Sequence, residues 1–229
     1  MALYALGDLH LSLNSNKSME IFGDGWQDYV LRLKEAFSAL GPEDVTVLCG
    51  DLSWGMSLEE SLEDFRFIDA LPGKKYLLKG NHDYWWNTAA KMERFFREHE
   101  LTTMEILHNN CKFYGELALC GTRGWFYELD NQGTHDEKVL LREIGRLETS
   151  LKAAGEHEKL VFLHYPPLYQ GYRCPEILRL LKEYSVKLCC YGHLHGASHR
   201  RAIEGMWDGT EFSLVSADYL KFVPKKICE

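Results

Sequence analysis

Five short segments of the sequence carry side chains that can bind metal ions. They contain, in chain order, Asp8 with His10, Asp51, Asn81 with His82, His164, and His193 with His195. Carboxylate, imidazole and amide ligands together suit Mn, Fe or Zn ions and suit Ca²⁺ poorly. A single Asp-x-His pair is more often part of a surface turn. Five such segments in order are hard to reach by chance, and they indicate one metal-dependent site.

Each of these segments follows a short apolar run that predicts a β-strand. We place strands at Ala2–Leu6, Val45–Cys49, Lys75–Leu78, Lys112–Cys120, Leu160–Leu163, Val186–Tyr191 and Glu211–Ser216, with Arg200–Glu204 as a further candidate. Amphipathic spacing predicts helices at Tyr29–Leu40, Leu58–Leu71, Lys91–Glu100, Glu137–Ala154 and Glu176–Tyr184. This alternation predicts an α/β fold with covered sheets, and the closer spacing of the later strands predicts a second, partly antiparallel sheet.

The candidate ligands are expected to meet because they share one position in this fold. In open α/β sheets, functional groups collect in the crevice beyond the carboxyl ends of the strands. Asp8 and His10 are two residues apart, and in an extended segment such residues point to the same side. His193 and His195 repeat this spacing after another strand. We therefore expect one cleft that contains all of these side chains.

Composition limits the partners of the chain. It has 229 residues, 45% of them hydrophobic, and a formal net charge of -8. This charge, without any run of basic residues, argues against binding to nucleic acid or to an anionic membrane surface. A small phosphorylated substrate is still compatible, because bound metal ions add positive charge. No repeat or linker-like stretch interrupts the sequence, so we expect a single domain over residues 1–229.

Several features predict a cytoplasmic location without membrane association. The N-terminus lacks the basic region and long apolar run of a signal peptide. No stretch approaches the ~18 uninterrupted apolar residues of a membrane helix. The seven cysteines form no C-x-x-C pair, and four of them lie inside apolar runs, where a reduced cysteine behaves as a small hydrophobic residue.

The five segments together resemble the motifs of the calcineurin-like metallophosphoesterases. The matching stretches are Gly7-Asp8-Leu9-His10, Gly50-Asp51, Gly80-Asn81-His82-Asp83, His164 and Gly192-His193-Leu194-His195. The resemblance implies a four-layer α/β/β/α sandwich with two mixed β-sheets and a metal site at the carboxyl ends of the strands. It also implies hydrolysis of a small phosphomonoester or phosphodiester at a site with two divalent or trivalent ions.

Seven residues match the metal ligands of that family, in two sets joined by one shared residue. The first set is Asp8, His10 and His195, the second is Asn81, His164 and His193, and the shared residue is Asp51. In the implied mechanism, the two ions lower the pKa of a bridging water, and the resulting hydroxide attacks the phosphorus in line. His82 matches a histidine that is not a ligand and that donates a proton to the departing alkoxide.

One position departs from the protein-phosphatase branch of the family. There, a second Asp follows the bridging Asp by three residues and orients the acid histidine. Here Trp54 stands at that position. A Ser/Thr protein phosphatase is therefore disfavoured, and the resemblance leaves open what holds the His82 ring. Asp83 is adjacent to His82 in sequence, so its side chain is expected to point elsewhere.

Three residues near the strand ends are candidates for substrate binding. Trp54 and Trp125 have two interpretations: an aromatic wall for a nucleoside, a sugar or an apolar leaving group, or packing against the sheet edge. Arg123 either binds a phosphate oxygen through its planar guanidinium or is a solvated loop residue.

Two other functions use the same fold. A nuclease is disfavoured by the acidic balance. A non-catalytic scaffold is expected to have lost some ligand positions, and all of them are present here. The sequence predicts neither the native metal pair nor the physiological substrate nor the oligomeric state.

Overall fold

Thirteen strands are present in the part of the chain that the computed structural model describes, residues 1–14, 17, 19–126 and 134–229. They are β1 Leu3–Leu6, β2 Val45–Leu48, β3 Lys74–Leu77, β4 Met104–Ile106, β5 Cys111–Tyr114, β6 Leu117–Thr122, β7 Glu158–Leu163, β8 Leu168–Tyr169, β9 Tyr172–Arg173, β10 Leu188–Tyr191, β11 Gly205–Trp207, β12 Thr210–Leu214 and β13 Lys225–Cys228. The α-helices in the same part are α1 Tyr29–Phe37, α2 Leu62–Ala70, α3 Ala89–Glu98, α4 Thr134–Ala153 and α5 Pro175–Glu183.

The strands form two large mixed sheets and one small hairpin. The first sheet has the order β13-β1-β2-β3-β4, in which β1 to β4 are parallel and β13 is antiparallel to β1. The second has the order β11-β12-β10-β7-β6-β5, with four parallel central strands and an antiparallel strand at each edge. Strands β8 and β9 pair only with each other. Within each large sheet, the parallel strands that precede the predicted ligands therefore have their carboxyl ends along the same edge.

The layers follow from the alternation of side chains along the strands. In β1, Leu3 and Ala5 belong to the core between the sheets, whereas Leu6 belongs to the core under α1, α2 and α3. In β7, Phe162 lies in the central core, and Val161 packs toward α4 and α5. Successive residues of a strand point to opposite faces, so each sheet buries both faces. The predicted four-layer α/β/β/α sandwich with two mixed sheets is confirmed.

The helices cover the outer faces with regularly spaced apolar residues. Helix α1 buries Tyr29, Leu33 and Phe37, which are four residues apart. Helix α5 buries Ile177 together with Leu180 and Leu181, which follow it by three and four residues and so lie on the same face of the helix. Each such side chain contributes about 1.5–3 kcal/mol to stability when fully buried. Among the described residues, no helix is both long enough and apolar enough to cross a bilayer.

Two predicted elements differ from the structure. The single strand predicted at Lys112–Cys120 is a hairpin, because the chain reverses between Tyr114 and Leu117 through Gly115, whose φ is 55°. Glycine adopts this left-handed conformation at little cost, so the chain can turn in the middle of the apolar run. The candidate strand at Arg200–Glu204 is wrong: Gly196–Arg201 forms a 3-10 helix, and the next strand is β11.

Helix α2 begins later than predicted, at Leu62 rather than Leu58. The predicted capping box is partly formed: the Ser57 hydroxyl accepts a hydrogen bond from the Glu60 backbone N–H (3.2 Å), while the Glu60 carboxylate accepts from the Met56 N–H (2.9 Å). These contacts stabilise a turn ahead of the helix. The edge strand β4, the hairpin of β8 and β9, and β13 were not predicted, because three or fewer apolar residues in each give no clear period.

Candidate metal centre

The two sheets meet at the site through the backbone that follows β1. The Gly7 N–H donates to the Val215 carbonyl (2.7 Å), and the Ala217 N–H donates to the Gly7 carbonyl (2.9 Å). The next residue, Asp8, donates its N–H to the Gly50 carbonyl in the loop after β2 (2.8 Å). The carboxyl end of β1 is therefore joined to the ends of both β2 and β12, and this places the loops of both sheets around one cleft.

Several candidate ligands have a left-handed backbone. The φ angles are 61° at Asp8, 46° at His10, 53° at Asp51 and 72° at His193. Such angles are uncommon in residues other than glycine, and they cluster at functional sites. The expectation of an extended segment through Asp8 and His10 was therefore wrong. Tight left-handed bends turn these side chains into the cleft.

Asp8, His10 and His195 form the first group of facing side chains. Their ligand atoms all lie within 4.8 Å of one another. Nε2 of His195 is 3.3 Å from Nε2 of His10 and 3.5 Å from Oδ1 of Asp8. Asp8 is fully buried, and its other oxygen accepts a hydrogen bond from the His193 backbone N–H (2.9 Å). The structure thus brings together the three residues of the first predicted set.

Asn81, His164 and His193 form the second group. Oδ1 of Asn81 lies 2.6 Å from Nε2 of His164 and 3.0 Å from Nδ1 of His193. Nδ1 of His164 is 3.0 Å from the Cys49 carbonyl, an acceptor, so Nδ1 carries the proton and Nε2 has its lone pair in the cleft. Two electron-rich atoms therefore face each other, as they would around a shared cation. The second predicted set also converges.

Asp51 lies between the two groups. Its Oδ2 is 3.7 Å from Nε2 of His10 in the first group and 3.5 Å from Nε2 of His164 in the second. Its Oδ1 accepts a hydrogen bond from the His82 backbone N–H (2.7 Å). One oxygen is thus fixed by the backbone, and the other faces both histidines.

The buried carboxylate oxygens of the site fit a bound cation, because they lack other partners. Oδ1 of Asp8 and Oδ2 of Asp51 are buried and have no hydrogen-bond partner among the described residues. Burial and the nearby charge of Asp8 raise the pKa of Asp51 to about 8. Without a cation, the Asp51 carboxyl therefore retains a proton near neutral pH. Buried carboxylates that lack partners cost free energy unless they neutralise or bind metal.

The pKa values of the histidine side chains are shifted in both directions. Burial lowers the pKa of His10 and of His193 to about 3 each, so both rings are neutral and can act as ligands. Burial also opposes protonation of His195, but Asp8 and Asp218 outweigh it and raise its pKa to about 10. In the metal-free protein, a proton on His195 supplies the positive charge that Asp8 requires.

Asp218 is a contributor that the sequence did not reveal. Its Oδ1 accepts a hydrogen bond from Nδ1 of His195 (3.0 Å), and its Oδ2 accepts from the Gly196 backbone N–H (3.1 Å). A carboxylate behind a ligating histidine fixes the ring and its tautomer, with Nε2 directed at the metal. Asp218 follows β12 and belongs to no motif, so only the position of its strand end signals it.

Asp83 is a second contributor, and it organises the backbone of the site. Its carboxylate accepts hydrogen bonds from the N–H groups of Asp51 (2.9 Å), Leu52 (2.8 Å) and Gly80 (2.7 Å). It also accepts from Nε1 of Trp85 (3.0 Å). Asp83 therefore does not hold the His82 ring. It fixes the loops that present Asp51 and Asn81.

His82 is held by aromatic packing. The Trp54 ring lies 4.5 Å from the His82 ring between centroids, and it stacks on His10 at 5.1 Å with an interplanar angle of 27°. Nδ1 of His82 is buried without a hydrogen-bond partner in the described part of the chain. The side chain belongs to neither ligand group. The tryptophan at the departing motif position thus takes the place of a carboxylate in positioning this ring.

A cavity of about 410 Å³ adjoins the site, and the rings of His10, His82, His195 and Trp54 form part of its lining. Arg123 and Trp125 are not among its lining residues. The guanidinium of Arg123 lies 3.5 Å from the Glu143 carboxylate and 4.7 Å from the centre of the Trp125 ring. The Arg123 carbonyl accepts the backbone N–H of His164 (3.1 Å), so this loop is tied to the ligand loop.

The chain is similar to known phosphoesterases. The family model described as Calcineurin-like phosphoesterase matches residues 1–197. Human tartrate-resistant acid phosphatase type 5 (Homo sapiens) is 24% identical over 208 residues, which cover 83% of this chain and 61% of that protein. The chain thus spans about three fifths of the length of this curated relative.

Solved structures share the fold at low identity. The protein AQ665 from Aquifex aeolicus, described as of unknown function, aligns with a TM-score of 0.51 and 15% identity over 98% of this chain and 95% of that one. TT1561 from Thermus thermophilus aligns with a TM-score of 0.55 and 15% identity over 84% of this chain and 81% of that one. At these identities the likeness concerns the fold alone.

Proposed function

The chain belongs to the calcineurin-like phosphoesterase family, and on this basis we propose that it is a metal-dependent hydrolase of small phosphoric esters. The observation that carries the proposal is the position of Asp51. Its free, buried Oδ2 lies within 3.7 Å of one histidine from each ligand group. A carboxylate shared in this way is the feature that two-metal hydrolases require.

In this proposal, the residues divide into two ligand sets around the shared carboxylate. Asp8, His10 and His195 would hold one ion, Asn81, His164 and His193 would hold the other, and Asp51 would be common to both. When bound, two such cations neutralise charge on the phosphoryl oxygens and acidify a water. The mixed oxygen and nitrogen donors suit Mn, Fe or Zn.

The protein's own groups supply position and a proton. Asp83 and Asp218 fix the loop and the ring that present ligands. His82, packed by Trp54, borders the cavity and is the proposed general acid, which donates a proton to the oxygen of the departing alcohol. Trp54 in addition forms part of the proposed substrate surface.

The direct test measures metal content and turnover together. Purified protein supplemented with Mn, Fe or Zn should hold two ions per chain and should hydrolyse p-nitrophenyl phosphate or its bis-ester. Comparison of these two substrates separates a monoesterase from a diesterase. A protein that holds two ions without any turnover across a panel of phosphorylated metabolites would instead be a scaffold.

Asp218→Asn is expected to weaken metal affinity by about 10–100-fold, because Asn cannot hold the His195 ring through a charge-assisted hydrogen bond. Chelator competition measures this affinity. Asp208→Asn is the matched control, since Asp208 is on the surface and pairs only with Lys182 (3.0 Å) among the described residues. Equal affinity in wild type and Asp218→Asn would limit Asp218 to a structural role.

Arg123→Ala is expected to raise KM by roughly 10-fold with a smaller change in kcat, if the guanidinium binds phosphate equally in ground and transition states. Arg146→Ala is the control. Arg146 pairs with the same Glu143 carboxylate (2.6 Å) but comes from α4 rather than from the loop after β6 that contains Arg123. If both variants behave alike, the Arg123 side chain serves only the ion-pair cluster.

The metal-free protein is expected to lose stability between pH 7 and 8, above the range in which the unfolded counterparts of the neutral His10 and His193 lose most of their protons. Over this range, folded Asp51 and His195 stay largely protonated, with pKa values of about 8 and about 10. Their unfolded counterparts are ionised Asp and mostly neutral His. The folded state binds more protons, so the free energy of unfolding falls by up to about 1.4 kcal/mol per pH unit for each group. Thermal unfolding after chelation measures this slope, and a rise in stability would contradict it.

A further inference from the structure

The cavity beside the centre has a second, apolar half. Besides the three imidazoles already described, its lining includes Met19, Trp26 and Trp54. Trp26 and Met19 are 4% and 5% exposed, so both side chains are held inside the protein. The cavity therefore joins reactive groups to an aromatic and thioether wall.

This wall is fixed before any ligand binds. The Trp26 ring packs edge-on against Tyr29 at 5.6 Å and Phe222 at 5.2 Å. It also contacts the His10 ring at 5.9 Å between centroids, and Trp54 stacks on this same His10 ring. Two indoles are thus held against the same imidazole by separate contacts. Rigid aromatic surfaces bind planar groups with little loss of conformational entropy.

Two polar groups of the lining, on Trp54 and Asp218, already have partners. Nε1 of Trp54 lies 3.3 Å from Sδ of Met19. The Asp218 carboxylate, also in the lining, accepts hydrogen bonds from His195 and Gly196. A ligand rich in hydroxyl groups would lose hydrogen bonds to water here and regain few. The cavity therefore favours an apolar ring over a sugar.

His82 determines which part of a substrate enters the cavity. A general acid must reach the oxygen of the leaving group, and His82 borders this cavity. Building on the proposed function, we propose that the cavity binds the leaving alcohol and selects phosphoesters whose alcohol carries a planar, apolar ring. An apolar cavity of roughly 150 Å³ already holds benzene. The space of about 410 Å³ is large enough for a monocyclic or bicyclic group and its linker.

Benzyl phosphate and propyl phosphate provide the test. Both release alkyl alcohols, so both need similar proton donation, and only one carries a ring. The metal-loaded protein should show a kcat/KM about 10–100-fold higher for benzyl phosphate. Trp26→Phe, Trp26→Leu and Trp54→Leu should each reduce this ratio by at least about 3-fold. Any effect of Trp54→Leu on His82 slows both esters and leaves the ratio interpretable.

Trp86→Leu is the matched control. Trp86 is a partly buried tryptophan that packs on Trp85 and His108 and does not line the cavity. It should leave the benzyl-to-propyl ratio unchanged.

Binding gives a second readout that does not depend on turnover. Phenylphosphonate should bind more tightly than methylphosphonate in calorimetry, by a similar factor, and Trp54→Leu should reduce the difference. Equal kcat/KM values for both esters together with equal affinities for both phosphonates would overturn the inference while leaving phosphoester hydrolysis intact. Failure to hydrolyse benzyl phosphate, propyl phosphate, p-nitrophenyl phosphate and the p-nitrophenyl bis-ester would overturn the proposed function itself.

Discussion

Asp51→Asn is expected to remove at least one metal ion per chain and to slow phosphoester hydrolysis by at least about 10²-fold. Asn can still accept the His82 backbone N–H, so the loop is kept. It cannot supply the negative charge that faces His10 and His164 at 3.7 and 3.5 Å. Elemental analysis and steady-state kinetics measure the two losses. Two ions retained in Asp51→Asn would contradict the shared position.

The same substitution should stabilise the protein when no metal is present. Wild-type Asp51 is buried with a raised pKa, so folding must protonate a carboxylate that is ionised in the unfolded chain, and this costs more free energy as the pH rises toward 8. Asn has no such cost. Metal content and metal-free stability should therefore change in opposite directions. Asp69→Asn is the control. Asp69 lies on α2 outside the candidate site, where its carboxylate accepts a hydrogen bond from the Thr103 backbone N–H (2.8 Å). This substitution should leave the metal content unchanged.

The positions of the candidate ligands were predictable because two local signals coincide. Val45 to Leu48 and Leu160 to Leu163 are apolar runs whose ends can be read from the sequence, and parallel strands direct those ends to one edge. The family resemblance then divided the residues into two sets. Both sets come together in the structure, although through left-handed bends at Asp8 and His193 that no strand pattern predicts.

The supporting residues could not be predicted in the same way. Asp218 acts on His195 from 23 residues later in the chain, and no short motif joins them. Asp83 stands inside a motif, but its target is the backbone around Asp51, and that contact depends on how two loops pack. Trp26 lies on a 3-10 helix whose few residues give no period. Such roles arise from tertiary packing, which a linear pattern does not encode.

His82→Asn is expected to slow hydrolysis by roughly 10²–10⁴-fold while both metal ions and the fold are retained. In the described part of the chain, the His82 side chain is in neither of the clusters Asp8–His10–His195 and Asp8–Asp51–His164, and its contact with Asp51 is made by the backbone N–H, which Asn also has. Substitution therefore removes the proposed proton donor and the ring packed on Trp54 without removing a ligand. Metal analysis and thermal unfolding check this part of the expectation.

The dependence on the leaving group distinguishes proton donation from general damage. p-Nitrophenolate departs readily as an anion and needs little protonation, whereas an alkoxide needs a proton as the bond to phosphorus breaks. His82→Asn should therefore slow benzyl and propyl phosphate much more than p-nitrophenyl phosphate. His108→Asn is the control, since His108 is another half-buried imidazole outside the ligand groups and the cavity lining. Equal slowing for all three esters, or loss of metal from His82→Asn, would make His82 a ligand or a structural residue.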